Sequence, residues 1–281
     1  MTGTHFTSRF AISPAEAATF GTKDLRANFL VTGLFAADQI NLTYSHYDRM
    51  IIGGASPVSA ELTLESIKPT GTPNFLDRRE LIAVNIGQDG MVSVDGQRFE
   101  LGHRDMIYIG MGAKDVRFAS ASKQEAASFY LISAPAHQSH PTKYINISDA
   151  KRIDLGSQAT SNERSIFQFV HPEGVKTCQL VVGMTTLAQG SVWNTMPAHV
   201  HDRRSEAYLY FNLAENARVV HLMGEPDETR HLIVADRQAV LSPGWSIHSG
   251  SGTSNYTFIW AMAGDNVDYT DVDPVAIGDL A

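Results

Sequence analysis

Four side chains in the C-terminal half have the types and spacing to hold a metal ion: His199, His201, Glu206 and His248. The first three stand in Pro197-Ala198-His199-Val200-His201-Asp202-Arg203-Arg204-Ser205-Glu206, the last in Gly244-Trp245-Ser246-Ile247-His248. Residues two apart in an extended strand share a face, so the two histidines of the His-x-His pair project together. Glu206 follows a short turn and begins the next strand, from which its carboxylate can swing back to the same point. His248 ends a later turn that a barrel can place beside them. Three imidazoles and one carboxylate suit Zn, Mn, Fe, Co or Ni, and without thiolate they select weakly among these. With 11 histidines in the chain a His-x-His pair alone is a weak signal; the added glutamate and the histidine in a Pro-Gly turn make the pattern specific. His221 and His231 read as core or surface residues, His103 and His137 have no partner pattern, and His46 suits an oligomer contact or a site edge.

The elements that must position these groups are strands. Short β-branched and aromatic runs, often alternating and divided by Gly, Asp, Asn and Pro, cover 81–87, 91–96, 106–110, 128–133, 178–187, 206–213, 217–224, 231–235, 238–242 and 256–264. Many strands at close turn spacing predict a sandwich or barrel. Helical signals are confined to Pro14–Phe29, with Ser13 as an N-cap ahead of Pro14. A faint repeat adds to this: Asp77-Arg78-Arg79-Glu80 parallels Asp202-Arg203-Arg204-Ser205-Glu206, and Gly110-Met111-Gly112-Ala113-Lys114 falls where Gly244-Trp245-Ser246-Ile247-His248 falls. The two matches keep their order and predict a duplicated β-barrel, divided into residues 1–140 and 141–281, with the polar stretch His137–Ser165 as connection. Lys114 then stands where His248 stands, and the first copy lacks His-x-His, so only the second copy is expected to hold metal.

Composition sets outer bounds. The chain has 281 residues and a formal net charge of −8, with no basic stripe of the kind a nucleic-acid backbone requires. Cys178 is the only cysteine, which excludes an intrachain disulfide and a thiolate zinc site and fits a reducing compartment. The first residues lack the basic and apolar regions of a signal peptide, and no run approaches a membrane span. The expectation is a cytoplasmic protein with no nucleic-acid or membrane partner.

The His-x-His-x4-Glu motif followed by a Pro-Gly turn ending in His resembles the paired metal motifs of the cupins. It departs from the general pattern in that Asn212 replaces the usual glycine, Pro243 and Gly244 are adjacent, and no Asn follows His248 at the usual distance. A closer resemblance accounts for these departures. Tyr44-Ser45-His46 with Asp48-Arg49, Asp77-Arg78-Arg79-Glu80-Leu81, Gly102-His103-Arg104-Asp105, Pro135-Ala136-His137, Pro141-Thr142-Lys143, Thr160-Ser161-Asn162, Trp193-Asn194-Thr195-Met196-Pro197, Glu228-Thr229-Arg230-His231 and Trp245-Ser246-Ile247-His248-Ser249-Gly250 resemble, in order, the 5-keto-4-deoxyuronate isomerases (4-deoxy-L-threo-5-hexosulose-uronate ketol-isomerases). The resemblance runs from about Leu25 to the C-terminus. It implies a mainly β bicupin, two tandem antiparallel barrels of jelly-roll type with a few short helices. It further implies one Zn2+ per subunit on His199, His201, Glu206 and His248, a homo-oligomer of hexameric type, and a small keto-deoxyuronate substrate from pectin breakdown.

For such a substrate a metal would grip the aldehyde oxygen and the neighbouring hydroxyl, easing removal of the intervening proton. An enediol route and a hydride shift both remain open. A substrate carboxylate calls for a cation, for which Arg164 and Lys176 are the candidates; Arg203 and Arg204 lie near the metal motif, in a turn expected to aim them outward. Trp193 and Tyr210, with Tyr256 and Trp260, are candidates for the cavity wall, although aromatic residues in barrels are more often core. No residue is assigned as catalytic base, since Glu206 is occupied as a ligand. The competing readings are a cupin Fe(II) dioxygenase, marked by iron and oxygen consumption, and a non-catalytic sugar-binding cupin with no open metal position.

Overall fold

The computed structural model describes residues 3–281. Its strands assemble into two compact units, one made of residues up to Arg9, Gly33–Ala150 and Phe169–Leu180, the other of Phe10–Thr32, Lys151–Gln168 and Val181–Ala281.

The first unit pairs a seven-stranded with a four-stranded sheet. The larger runs, edge to edge, through Thr4–Arg9, Ile40–Ser45, Ile51–Ala55, Phe129–Pro135, Arg79–Asn85, Met106–Ile109 and Lys143–Ile145; the smaller through Leu62–Thr63, Val116–Ser120, Gly90–Val94 and Gln97–Leu101. Alternation along the strands explains the core. Leu81 and Ala83 project into an apolar cluster with Leu42, Ile51, Val92, Ile107, Phe118, Phe129 and Leu131. Each of the larger ones contributes roughly 1.5–3 kcal/mol on burial.

The second unit repeats the plan. Its larger sheet runs Lys151–Leu155, Arg164–Val170, Val181–Leu187, Thr257–Gly264, Arg204–Phe211, Gln238–Ser242 and Leu30–Val31; its smaller one runs Trp193–Asn194, Ser249–Gly252, Val219–Glu225 and Glu228–Val234. The order of chain segments matches that of the first unit except at the borders. The edge strand Thr4–Arg9 runs parallel to its neighbour, whereas Lys151–Leu155 runs antiparallel. The other edge of the second sheet is filled by Leu30–Val31, paired with Val240 and Ala239, from far upstream.

That upstream segment contains the two α-helices found among the described residues. Ser13 caps Pro14–Ala17 in a reciprocal box, its hydroxyl accepting from the Glu16 N–H at 3.3 Å while its own N–H donates to the Glu16 carboxylate at 3.1 Å. The helix Thr22–Phe29 buries Leu25 and Phe29, and the Phe29 ring meets Trp245 edge-on at 6.2 Å. The polar stretch 137–165 carries two edge strands, Lys143–Ile145 and Lys151–Leu155. No helix among the described residues is long and apolar enough to cross a membrane.

The repeat has a register. Arg79 and Arg204 each open the fifth strand of the larger sheet, and the third residue of that strand pairs with the last residue of the sixth: Leu81 with Ile109, Glu206 with Ser242. One barrel therefore has an apolar side chain where its counterpart has a carboxylate.

Candidate metal centre

Three stretches of chain place the four metal-type residues. His199 opens the two-residue strand His199–Val200, paired with Asp273–Pro274, and His201 directly follows it. The His201 N–H donates to the Gly244 carbonyl at 2.8 Å, joining the His-x-His loop to the Pro243-Gly244 turn. Glycine is required there, because a Cβ on Gly244 would lie 2.2 Å from the His201 carbonyl oxygen. Glu206 is the third residue of Arg204–Phe211, and His248 immediately precedes Ser249–Gly252.

One ligand atom from each residue lies within 4.8 Å of those of the other three. Nε2 of His201 and Nε2 of His248 each lie 3.0 Å from Oε2 of Glu206, and the Nε2 atoms of His248 and His199 are 2.9 Å apart. The rings of His201 and His248 are nearly parallel, and that of His199 stands across both. Outward-facing nitrogens have partners of their own. His201 Nδ1 lies 3.2 Å from the Asp271 carbonyl, which can only accept, so Nδ1 carries the proton and Nε2 presents a lone pair. His248 Nδ1 lies 3.2 Å from the Ser242 hydroxyl.

Electrostatics fit a cation. Burial opposes the charge of Glu206, yet the adjacent imidazoles, His248 foremost, outweigh it and hold the carboxyl well below its ordinary range. Burial, reinforced by the neighbouring imidazole of His248, depresses His199 to about 3, leaving a neutral ring. A buried carboxylate costs several kcal/mol unless positive charge balances it. A divalent ion would supply that charge, and three lone pairs with one carboxylate oxygen are a donor set it accepts.

Three of the four, His199, His201 and Glu206, line a cavity of about 390 Å³. Tyr208, Thr185, Thr195, Tyr269 and Thr270 give it polar surface; Ile166, Trp260, Met262 and Val272 give it apolar surface. Trp260 fits because the facing residue is Gly183, where a Cβ would lie 2.1 Å from the indole. Its indole N–H donates to Thr185 Oγ1 at 3.1 Å.

Arg164 lines this cavity, partly buried, with one guanidinium N–H donated to the Asn162 carbonyl at 2.9 Å. Burial lowers its pKa, and a guanidinium remains charged in proteins. Lys176 is exposed, in the first unit, and is not among the residues lining the cavity. Trp193 is half-buried and pairs with Ser251 in the smaller sheet. Tyr210 is fully buried behind the wall, its hydroxyl 2.7 Å from Nδ1 of His221 and its ring against Tyr256. Arg203 and Arg204 part company: Arg203 faces outward and pairs with Asp271, whereas Arg204 turns inward and is 2% exposed. The outward orientation expected for Arg204 is thus corrected, because the strand begins at this residue and alternation aims it under the C-terminal segment.

Sequence reasoning missed Tyr208 and Tyr269. Tyr208 was open to discovery, since it lies two residues beyond Glu206 and shares its face of the strand. Tyr269 stands in the irregular, polar stretch 265–273, where no periodicity marks an inward side chain.

Two barrels of the same strand order, the second carrying a group of three histidines and one carboxylate, define the fold as a bicupin. Residues 35–274 match the KduI/IolB family, and the chain belongs to it. Among curated relatives it is 65% identical to 4-deoxy-L-threo-5-hexosulose-uronate ketol-isomerase 2 of Rhizobium meliloti (strain 1021), over 100% of both chains. It is 55% identical to the 4-deoxy-L-threo-5-hexosulose-uronate ketol-isomerase of Cereibacter sphaeroides (strain ATCC 17029), over 99% of both. Among solved structures it resembles an IolB-like protein from Salmonella typhimurium LT2, with a TM-score of 0.70 and 15% identity over 88% of this chain and 97% of the other; that likeness concerns the fold.

Proposed function

We propose that the protein is a metal-dependent ketol-isomerase that converts 5-dehydro-4-deoxy-D-glucuronate (4-deoxy-L-threo-5-hexosulose uronate) to 3-deoxy-D-glycero-2,5-hexodiulosonate in the breakdown of pectin-type uronates. The observation that carries this reading is the convergence of His199, His201, Glu206 and His248, the first three of which line a cavity that Arg164 also lines. Full-length similarity to curated ketol-isomerases supports it.

In this reading the four residues hold one ion per chain, zinc by resemblance to the family. A bound divalent ion supplies Lewis acidity toward a carbonyl oxygen and the adjacent hydroxyl. His201 and His248 are oriented for this by the Asp271 carbonyl and the Ser242 hydroxyl. Arg164 offers a planar cation to the substrate carboxylate. Trp260, Ile166 and Met262 limit water at the reacting carbons. The first barrel, with Leu81 in the position of Glu206, carries no metal in this reading. The protein acts in the cytoplasm as a homo-oligomer of hexameric type, for which the resemblance and the single cysteine are the support.

The test is elemental analysis of the purified protein beside an assay interconverting the keto-deoxyuronate and its diketo product, with and without chelator. Zinc near one equivalent and chelator-sensitive, oxygen-independent isomerisation are expected. Full activity after complete removal of metal would overturn the reading. Light scattering on the same sample tests the assembly.

A further inference from the structure

The C-terminal stretch Asn266–Asp273 crosses the metal end of the second barrel and contributes Tyr269, Thr270 and Val272 to the cavity wall. Little apolar burial holds it: Asp268 and Thr270 are exposed, and Asn266, Val267, Asp271 and Val272 only partly covered. Polar ties hold it instead. Arg204, almost fully buried beneath, donates from Nη1 to the Asp268 carbonyl at 2.6 Å and from Nη2 to the Asp271 carbonyl. The same Asp271 carbonyl faces Nδ1 of His201. Asn266 donates to the Asp271 carboxylate at 2.6 Å, and Arg203 pairs with that carboxylate from the exposed side.

The two carbonyls gripped by Arg204 flank Tyr269. Its ring packs on Trp260 at a centroid distance of 5.5 Å, in the cavity that Glu206 and Arg164 also line, and both of these act on it electrostatically. Arg79, which opens the equivalent strand of the first barrel, also spends its guanidinium on carbonyls, those of Arg49 and Ser133. Carbonyl-gripping arginine therefore belongs to the repeat. Only in the second barrel do the gripped carbonyls bracket a side chain that lines a cavity with metal-type ligands.

We propose that Arg204 is a positioning residue for the isomerisation: its two-pronged hold on Asp268 and Asp271 keeps the segment seated, so that Tyr269 stands against the bound substrate. The planar fork matters more than the charge. Lysine offers one compact ammonium and cannot satisfy both carbonyls in the same geometry. The proposal rests on the isomerase reading for its catalytic consequence but not for the seating itself.

The experiment compares wild type with Arg204→Lys, Tyr269→Phe, the double variant, and Arg203→Ala as a surface control, all loaded with zinc. Displacement of a positioned group by about 1 Å is worth up to about 10²-fold in rate, so Arg204→Lys is expected to lower kcat by 10- to about 100-fold with little change in KM. Tyr269→Phe lowers kcat similarly, and the double variant is no slower than the slower single one, because Arg204 acts through Tyr269. Independent of turnover, chymotryptic cleavage after Tyr269 rises at least ~10-fold in Arg204→Lys and by less than ~3-fold in Arg203→Ala. Multiplying losses in the double variant, or unaltered cleavage in Arg204→Lys, would overturn the proposal. If Arg204→Lys does not fold, Tyr269→Phe decides alone: full kcat in that variant sinks the idea. A wild type inactive toward the keto-deoxyuronate would instead count against the isomerase reading, while the cleavage comparison would still decide whether Arg204 seats the segment.

Discussion

Nε2 of His199 and Nε2 of His248, 49 residues apart in the chain, face each other at 2.9 Å with Glu206 beside them. Two neutral imidazoles can share one proton at such a distance, or both can turn lone pairs to a common cation. The carboxylate oxygen at 3.0 Å from two of the three rings favours the cation.

Removing one donor tests this directly. His201→Ala and Glu206→Ala are expected to lose bound metal and at least about 10²-fold in activity while keeping the fold, since an outer partner alone is worth 10- to 100-fold. Elemental analysis and circular dichroism together separate the two effects. Retention of full activity after chelation in either variant would remove the assigned role.

The outer partner of His248 makes a finer prediction. Ser242→Ala deletes the hydroxyl at 3.2 Å from Nδ1 and leaves all four donors in place. Zinc affinity should fall by about 10-fold, measured by competition with a chromogenic chelator, with stoichiometry unchanged at saturation.

Acid should destabilise the metal-free fold. His199, depressed to about 3, and His221, also brought to about 3 by burial, stay neutral in the folded chain while the unfolded chain takes up protons near 6.5. The stability tied to these neutral rings is fully present above about pH 6.5 and is lost as the pH falls from there toward 3. Denaturant titrations of the metal-free protein at pH 7.5 and 5 should show the lower midpoint at pH 5. No loss of stability between those values would contradict the depressed values.

Arg164 lies in the cavity and Lys176 does not, so the two separate in kinetics. Arg164→Gln is expected to raise KM by 10- to about 100-fold, the equivalent of one charge-assisted pair, with a smaller effect on kcat. Lys176→Gln should leave both within about twofold, as is usual for a surface side chain away from any site.

Lys114 checks the duplication. It ion-pairs with Asp77 in the first barrel, and Lys114→Ala should leave the metal content untouched. A drop to half would mean a second ion.

Much of the centre was legible because its chemistry is concentrated in a short motif and a turn. His199, His201 and Glu206 follow from alternation and one loop, and His248 from its Pro-Gly setting. Continuous runs rich in aromatic and aliphatic residues, such as Arg204–Phe211 and Thr257–Gly264, could be read within a few residues of their observed limits. Edge strands could not. Thr4–Arg9 and Lys151–Leu155 are largely exposed on both faces, so no hydrophobic rhythm marks them. Tyr269 was hidden for a related reason: its segment is held by carbonyls and a buried guanidinium, and main-chain acceptors leave no trace in residue types.

Leu30–Val31 supplies the last strand of the sheet that carries Glu206, though it is synthesised more than a hundred residues earlier. On the ribosome this ribbon must wait for Gln238–Ser242 to emerge before it finds its mate. An excised half starting near residue 141 would leave the Gln238–Ser242 border bare and prone to pair with a neighbouring molecule. Supplying residues 10–32 as a separate peptide should then restore solubility, which makes the protein a natural candidate for fragment complementation.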